Sequence, residues 1–151
     1  MPQSVPPEQI QPASLDDYLK VMSKAVFQSG MSWRVVEAKW PDIQEAFDNF
    51  DVQKVANFSV FEIEALTKDK RVIRNRRKLA AIVNNAQRMI ELDREHGSFS
   101  SYLRSHGDFD ATLTALRNDF KFMGPTSVYF FLYVVGEDVP PHQEFEAAYR
   151  K

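Results

Sequence analysis

From residue 14 onward the apolar positions of the chain recur at intervals of three and four, the spacing that puts side chains on one face of an α-helix. Leu15, Leu19, Met22 and Val26 form the first such stripe. Ser14 stands where a cap is expected, and Asp16 and Asp17 occupy the first turn, where the helix dipole favours negative charge. The stripe ends at the corner Gln28-Ser29-Gly30, with Gly30 as helix stop. A short helix is predicted from Ser32, carrying Trp33, Val36 and Trp40, and Pro41 is expected to reset the chain. A third element would then carry Ile43, Ala46, Phe47 and Phe50. Asp51 and Ser59 open two more stretches, with Val52, Val55 and Ala56 in one and Phe61, Ile63 and Leu66 in the other.

The longest amphipathic element runs from Lys78 to Leu92, with Leu79, Ile82, Val83, Ala86, Met89 and Ile90 on its apolar side and Gly97 just beyond its end. Phe99, Tyr102 and Leu103 predict another turn or two, and Leu113 and Leu116 a further helix. The apolar run Val128 to Val135 suits a buried strand or a buried helix. Pro125 behind Gly124, and Gly136 at the far end, are helix start and stop signals, so a buried central helix is the reading. No stretch alternates as a half-exposed strand does, and no repeat is present. The fold class is therefore all-α, with about eight to ten short helices. Residues 1–13 hold four of the eight prolines without periodicity and read as a flexible leader to a single helical domain, 14–151.

Composition narrows the chemistry. With no cysteine there is no disulfide, thiolate zinc site or cysteine nucleophile, and three scattered histidines make a metal cluster improbable. The eight-residue apolar run is far short of the roughly 20 needed to span a bilayer, so a cytoplasmic protein without membrane attachment is expected. Net charge is −2, but residues 68–78, KDKRVIRNRRK, gather seven of the 19 basic residues and one of the 21 acidic ones. On an acidic chain such a cluster is a local handle for polyanions or a solvated helix start. Arg74, Arg76, Arg77 and Lys78 stand at the positive end of the long helix and repel one another, a cost that suggests a phosphate partner, with Asn75 as a neutral contact. The hairpin Phe120-Lys121-Phe122-Met123-Gly124-Pro125-Thr126 precedes a helix start, where free amides at Gly124 and Thr126 suit a phosphate oxygen and Lys121 adds charge. Trp33 at the corner reads either as a core anchor or as a stacking platform beside Gln28.

Taken in order, FQSGMSW (27–33), FDNFD (47–51), VIRNRRKLAAIVNNA (72–86), GSFSSYL (97–103) and FKFMGPTSVYFF (120–131) resemble the DNA-3-methyladenine glycosylase I family of helix-hairpin-helix glycosylases, over about Ser14 to Gly136. The resemblance implies a two-lobed helical fold whose hairpin grips the DNA backbone. A damaged base would be flipped into a pocket between the lobes and its glycosidic bond hydrolysed. It implies Gln28 and Trp33 in the base pocket, Arg74, Asn75, Arg76, Lys121, Gly124 and Thr126 on the DNA backbone, and double-stranded DNA with an alkylated purine as partner; a monomer without cofactor is expected. Two departures stand out. The family's N-terminal segment, with its pocket aromatics and the zinc ligands that join the termini, is replaced by the Pro-rich leader, so no metal is carried over; His142 lacks a thiolate partner. The family's pocket glutamate falls on Ala25, so the catalytic residue is unassigned, and Glu37 and Asp17 are nearby carboxylates at other positions. The alternative is a catalytically impaired member that acts as a helix-hairpin-helix DNA-binding protein.

Overall fold

The computed structural model describes residues 7–149, so the leader before residue 7 lies outside the described residues. Nine α-helices are found among them: α1 (Leu15–Gln28), α2 (Trp33–Ala46), α3 (Val52–Ala56), α4 (Val60–Leu66), α5 (Arg76–His96), α6 (Phe99–Leu103), α7 (Phe109–Asp119), α8 (Pro125–Val134) and α9 (His142–Tyr149). There is no strand among the described residues, and none of the helices is long and apolar enough to cross a membrane. The long helix α5 is the axis. It packs against α1, α3, α4 and α6, while α1 also meets α2 and α8, and α7 packs on α8. Helices α2 to α4 thus form one side and α6 to α9 the other, joined mainly through α1 and α5, which is the two-lobed arrangement expected.

The caps explain the short elements. The Asp51 carboxylate accepts the Lys54 amide at 3.1 Å, and Ser59 and Glu62 form a reciprocal capping box. Ser14 and Ser32 hold the cap positions of α1 and α2, but neither side chain makes the cap bond. Asp17 instead accepts the Ala13 amide at 2.8 Å, and Asp16 reaches across to the Val52 amide at 2.8 Å, tying the start of α1 to that of α3. Gln9 and Ile10 are also tied down, donating to the Tyr133 and Val134 carbonyls at the end of α8.

Two expectations are corrected. Pro41 does not divide the chain; it lies inside α2. The apolar stripe Val36, Trp40, Ile43 continues through it, and Glu37 and Pro41 both lie on the exposed side, so the carbonyl that loses its donor is on the solvent face of the helix. Phe61 is not a core residue of α4. It is 86% exposed, beside Val60, because Ile63 and Leu66 face inward on the opposite side. After α2 the chain turns through a 3-10 segment, Asp48–Phe50, whose three residues all have positive φ. Such backbone costs about 1 to 2 kcal/mol per non-glycine residue. It is held by the buried Phe50 ring, which stacks on Trp40 at 5.4 Å and Phe47 at 5.2 Å.

Two polar side chains are buried on α5. The Lys78 ammonium, on a residue only 5% exposed, donates to the Phe27 carbonyl at 3.2 Å and to the Ser29 carbonyl, closing the C-terminal end of α1. Two turns later Asn85, 1% exposed, donates its amide to the Lys121 carbonyl at 3.1 Å and accepts the Lys121 N–H at 2.8 Å. Burial pushes the Lys78 ammonium below the usual lysine range. At the far end of α5, Arg88 and the Tyr102 hydroxyl both donate to Asp119, linking α5, α6 and α7.

Replacing Asn85 by Ala strands the N–H and C=O of Lys121, so Asn85→Ala is expected to lose about 3 kcal/mol, or roughly 10 °C in thermal unfolding. Burial first, and the bond to Asp119 second, raise the Tyr102 hydroxyl well above the ordinary phenol range. It stays protonated in the folded chain where the unfolded chain ionises, so its contribution is full below about pH 10 and is lost above it. In denaturant titrations the stability gap between the wild type and Tyr102→Phe should narrow above about pH 10; a constant gap contradicts this.

Candidate nucleic-acid interface

The corner between α1 and α2 is built by the chain's own turn chemistry. Gly30 has φ +71°, a conformation glycine takes without strain, and the Met31 amide closes the turn on the Gln28 carbonyl at 3.1 Å. The corner is then fastened from below by Lys78. Gln28 ends α1 and Trp33 begins α2, both half-buried. The Trp33 ring meets Phe130 of α8 edge-to-face, centroids 5.6 Å apart, and Phe130 also meets His142 of α9 at 5.6 Å. Trp33 is therefore a half-exposed aromatic at the meeting of the two lobes. Ala25, one turn before Gln28, is buried at 7% exposure. Neither nearby carboxylate stands in for a glutamate there: Glu37 pairs with Lys24 at 2.8 Å, and Asp17 is taken by the Ala13 amide.

The hairpin joins α7 to α8. Asn85 holds the backbone of Lys121 on both sides, while the Lys121 side chain is exposed. Phe120 and Met123 are buried on either flank. The first α8 bond runs from the Val128 amide to the Gly124 carbonyl at 2.9 Å, so the amides of Thr126 and Ser127 have no acceptor within the helix, and Gly124 supplies no capping side chain. Gly124 itself has φ −76°, and a β-carbon there would meet nothing within 4 Å. The fold does not require glycine at 124; what the bare position leaves is room for an approaching group. The strained residue of the hairpin is Phe122, at φ +59°.

The basic segment is sorted by the structure into used and unused charge. Arg71 is committed to Asp69 at 2.7 Å and reaches Glu45. Arg76 pairs with Glu64 of α4, and its guanidinium holds the Glu64 carboxyl below the usual range. That pair also relieves the repulsion expected of an arginine at a helix start. Asn75 is occupied as the cap of α5, its side-chain oxygen accepting the Lys78 amide at 3.2 Å. Arg74 and Arg77 are exposed and make no ion pair among the described residues.

Thus α5 brings together the corner, through Lys78, and the hairpin, through Asn85, about 10 Å apart along the axis. Arg74 lies before its first turn. Lys78, expected among the charges facing a phosphate, is instead buried beneath the corner and spent on its carbonyls. Asn85 and Phe130 are the residues that the sequence reading missed; for Asn85 a signal exists, since it is a polar residue on the apolar side of α5, and for Phe130 there is none. A separate cleft of about 450 Å³, lined by Asp48, Gln53, Lys54, Asn57, Phe58 and Glu62, includes none of the expected site residues. Among the described residues no group of three or more histidines, aspartates and glutamates is placed to hold a metal ion.

Known proteins share this fold. Residues 14–119 match the family model of methyladenine glycosylase. The DNA-3-methyladenine glycosylase of Haemophilus influenzae is 36% identical over 78 residues, which are 52% of this chain and only 42% of that protein. DNA-3-methyladenine glycosylase 1 of Escherichia coli K12 is 28% identical over 130 residues, 72% of this chain and 70% of the relative. Among solved structures, 3-methyladenine DNA glycosylase I of Staphylococcus aureus superposes with a TM-score of 0.75 at 29% identity, over 85% of this chain and 80% of that one. A variant of a 3-methyladenine DNA glycosylase I in complex with 3-methyladenine gives 0.74 at 28% identity, over 85% and 81%. With the family model covering more than two thirds of its length, the chain belongs to the methyladenine glycosylase family.

Proposed function

We propose that this protein is a metal-free DNA glycosylase that removes small N-alkylated purines, 3-methyladenine first among them, from double-stranded DNA, acting as a monomer in the cytoplasm. The observation that carries the reading is the joint anchoring of the Gln28–Trp33 corner and the Lys121–Thr126 hairpin on one helix. It sets a candidate base wall and a candidate backbone grip at fixed separation.

In this reading the phosphate backbone lies on the Thr126 and Ser127 amides, with Lys121 and Arg74 adding charge, and the bare Gly124 lets the strand approach. Arg76 contributes less, because Glu64 already neutralises it. Asn75 positions α5 and does not contact DNA directly. The extruded base meets Trp33, and Gln28 lies within the same corner. A 3-alkylated adenine carries positive charge, which an aromatic face attracts and which makes it a good leaving group. The C1′–N bond breaks with its electron pair going to the base, which departs neutral. A water oxygen bonds to C1′, and its proton passes to solvent. Such a departure needs little acid catalysis, so Ala25 in place of a glutamate weakens base recognition by about one unmet hydrogen bond, roughly 1 to 3 kcal/mol, and leaves the bond-breaking step in place.

The second reading, a DNA-binding protein without excision, takes its support from buried Ala25 and from Glu37 being tied to Lys24. Incubation with methylated duplex DNA separates the two. Free 3-methyladenine is the expected product, and Trp33→Ala should slow its release about 5- to 150-fold. Intact DNA binding without any base released at stoichiometric protein overturns the enzyme reading. Lys121→Ala should lower the slope of log affinity against log salt by about 1, whereas Arg76→Ala should change it less.

A further inference from the structure

We propose that the Phe122 ring is a DNA contact in its own right, packing on the deoxyribose beside the phosphate held by the α8 amides. The inference rests on the reading that the hairpin grips DNA. Phe122 is 38% exposed, and it is flanked by Phe120 and Met123, which are buried at 4% and 3%. Its φ of +59° is one that glycine or asparagine adopts with less strain than a residue with a large side chain. The backbone on its N-terminal side cannot relax, because Asn85 holds both the N–H and the C=O of Lys121. The hairpin is thus pinned in a shape that presents an aromatic ring where the fold itself would be served by a smaller residue.

The surroundings specify what the ring meets. On one side is the exposed Lys121 ammonium, and two residues beyond Phe122 come bare Gly124 and the unpaired amides at the start of α8. Those groups take anionic oxygen. The sugar that adjoins each phosphate is the uncharged, partly apolar element of the same strand, at the distance of one covalent linkage. A ring that falls between Lys121 and those amides along the chain complements the sugar, adds affinity without sequence preference, and neutralises no charge.

The test uses the full-length protein with Phe122→Gly and Phe122→Asn, two substitutions that suit the backbone conformation. Affinity for a fluorescently labelled duplex is measured by anisotropy over a range of salt, together with thermal unfolding. The expected result is binding about tenfold weaker for both, the effect of leaving some 50 Å² of apolar surface uncovered in the complex. The salt slope should stay unchanged and the Tm within about 3 °C of the wild type. Wild-type affinity in both variants overturns the inference and leaves the proposed activity standing. So does a loss of affinity that comes with a Tm lower by much more than 3 °C, which marks the ring as structural. Failure of the wild-type protein to bind duplex DNA at any salt overturns the hairpin reading itself.

Discussion

Two buried polar side chains on α5, Lys78 and Asn85, carry the backbone of the two loops on which the site depends. Each loop exposes main-chain groups that regular structure leaves unpaired, the carbonyls at the end of α1 and the N–H and C=O of Lys121. Burying such groups without partners costs about 1 to 3 kcal/mol apiece. A single helix satisfies both sets from positions two turns apart, so the register between corner and hairpin is set by the pitch of α5. The lysine does this at the expense of a desolvated ammonium, visible in its lowered pKa, and donation to two carbonyls compensates for part of the lost water.

The same constraint organises the electrostatics. Of the basic segment that precedes and opens α5, one charge is buried as a clamp and two are spent on carboxylates. What remains for a polyanion is narrower than the sequence count: Lys68, Lys70, Arg74 and Arg77 of that segment, and Lys121 on the hairpin. About 10 Å of α5 separates the residues that fasten corner and hairpin, near the rise of three base pairs at 3.4 Å each. Unpaired amides at the start of α8 add neutral donors beside Lys121 in the chain. A chain of net charge −2 can in this way offer a polyanion local positive charge despite its acidic balance.

Much of the fold was legible because its signals are local. Asp51 and Ser59 cap the elements they introduce, Gly30 turns the corner, and Pro125 starts α8. The failures occur where tertiary packing overrides local preference. Pro41 is tolerated because it lies on the exposed side of a helix whose apolar stripe is continuous, and Phe61 faces water because one turn offers room inward only to Ile63 and Leu66. The candidates Gln28, Trp33, Lys121, Gly124 and Thr126 come from motif and turn chemistry. Which arginine is free was not legible, since Glu64 reaches Arg76 across twelve residues. Nor could the sequence reveal that the strained residue of the hairpin is Phe122 and not Gly124, because φ is set there by the clamp from Asn85.

Whether one helix fixes a base wall and a backbone grip as a unit is decided by a structure of the protein bound to duplex DNA containing an abasic-site analogue. The expected complex has a phosphate on the Thr126 and Ser127 amides and the abasic sugar facing Trp33, with the Lys78 and Asn85 bonds unchanged. A duplex seated elsewhere, for example against the cleft at Asp48 and Asn57, or a hairpin that leaves Asn85 on binding, contradicts it.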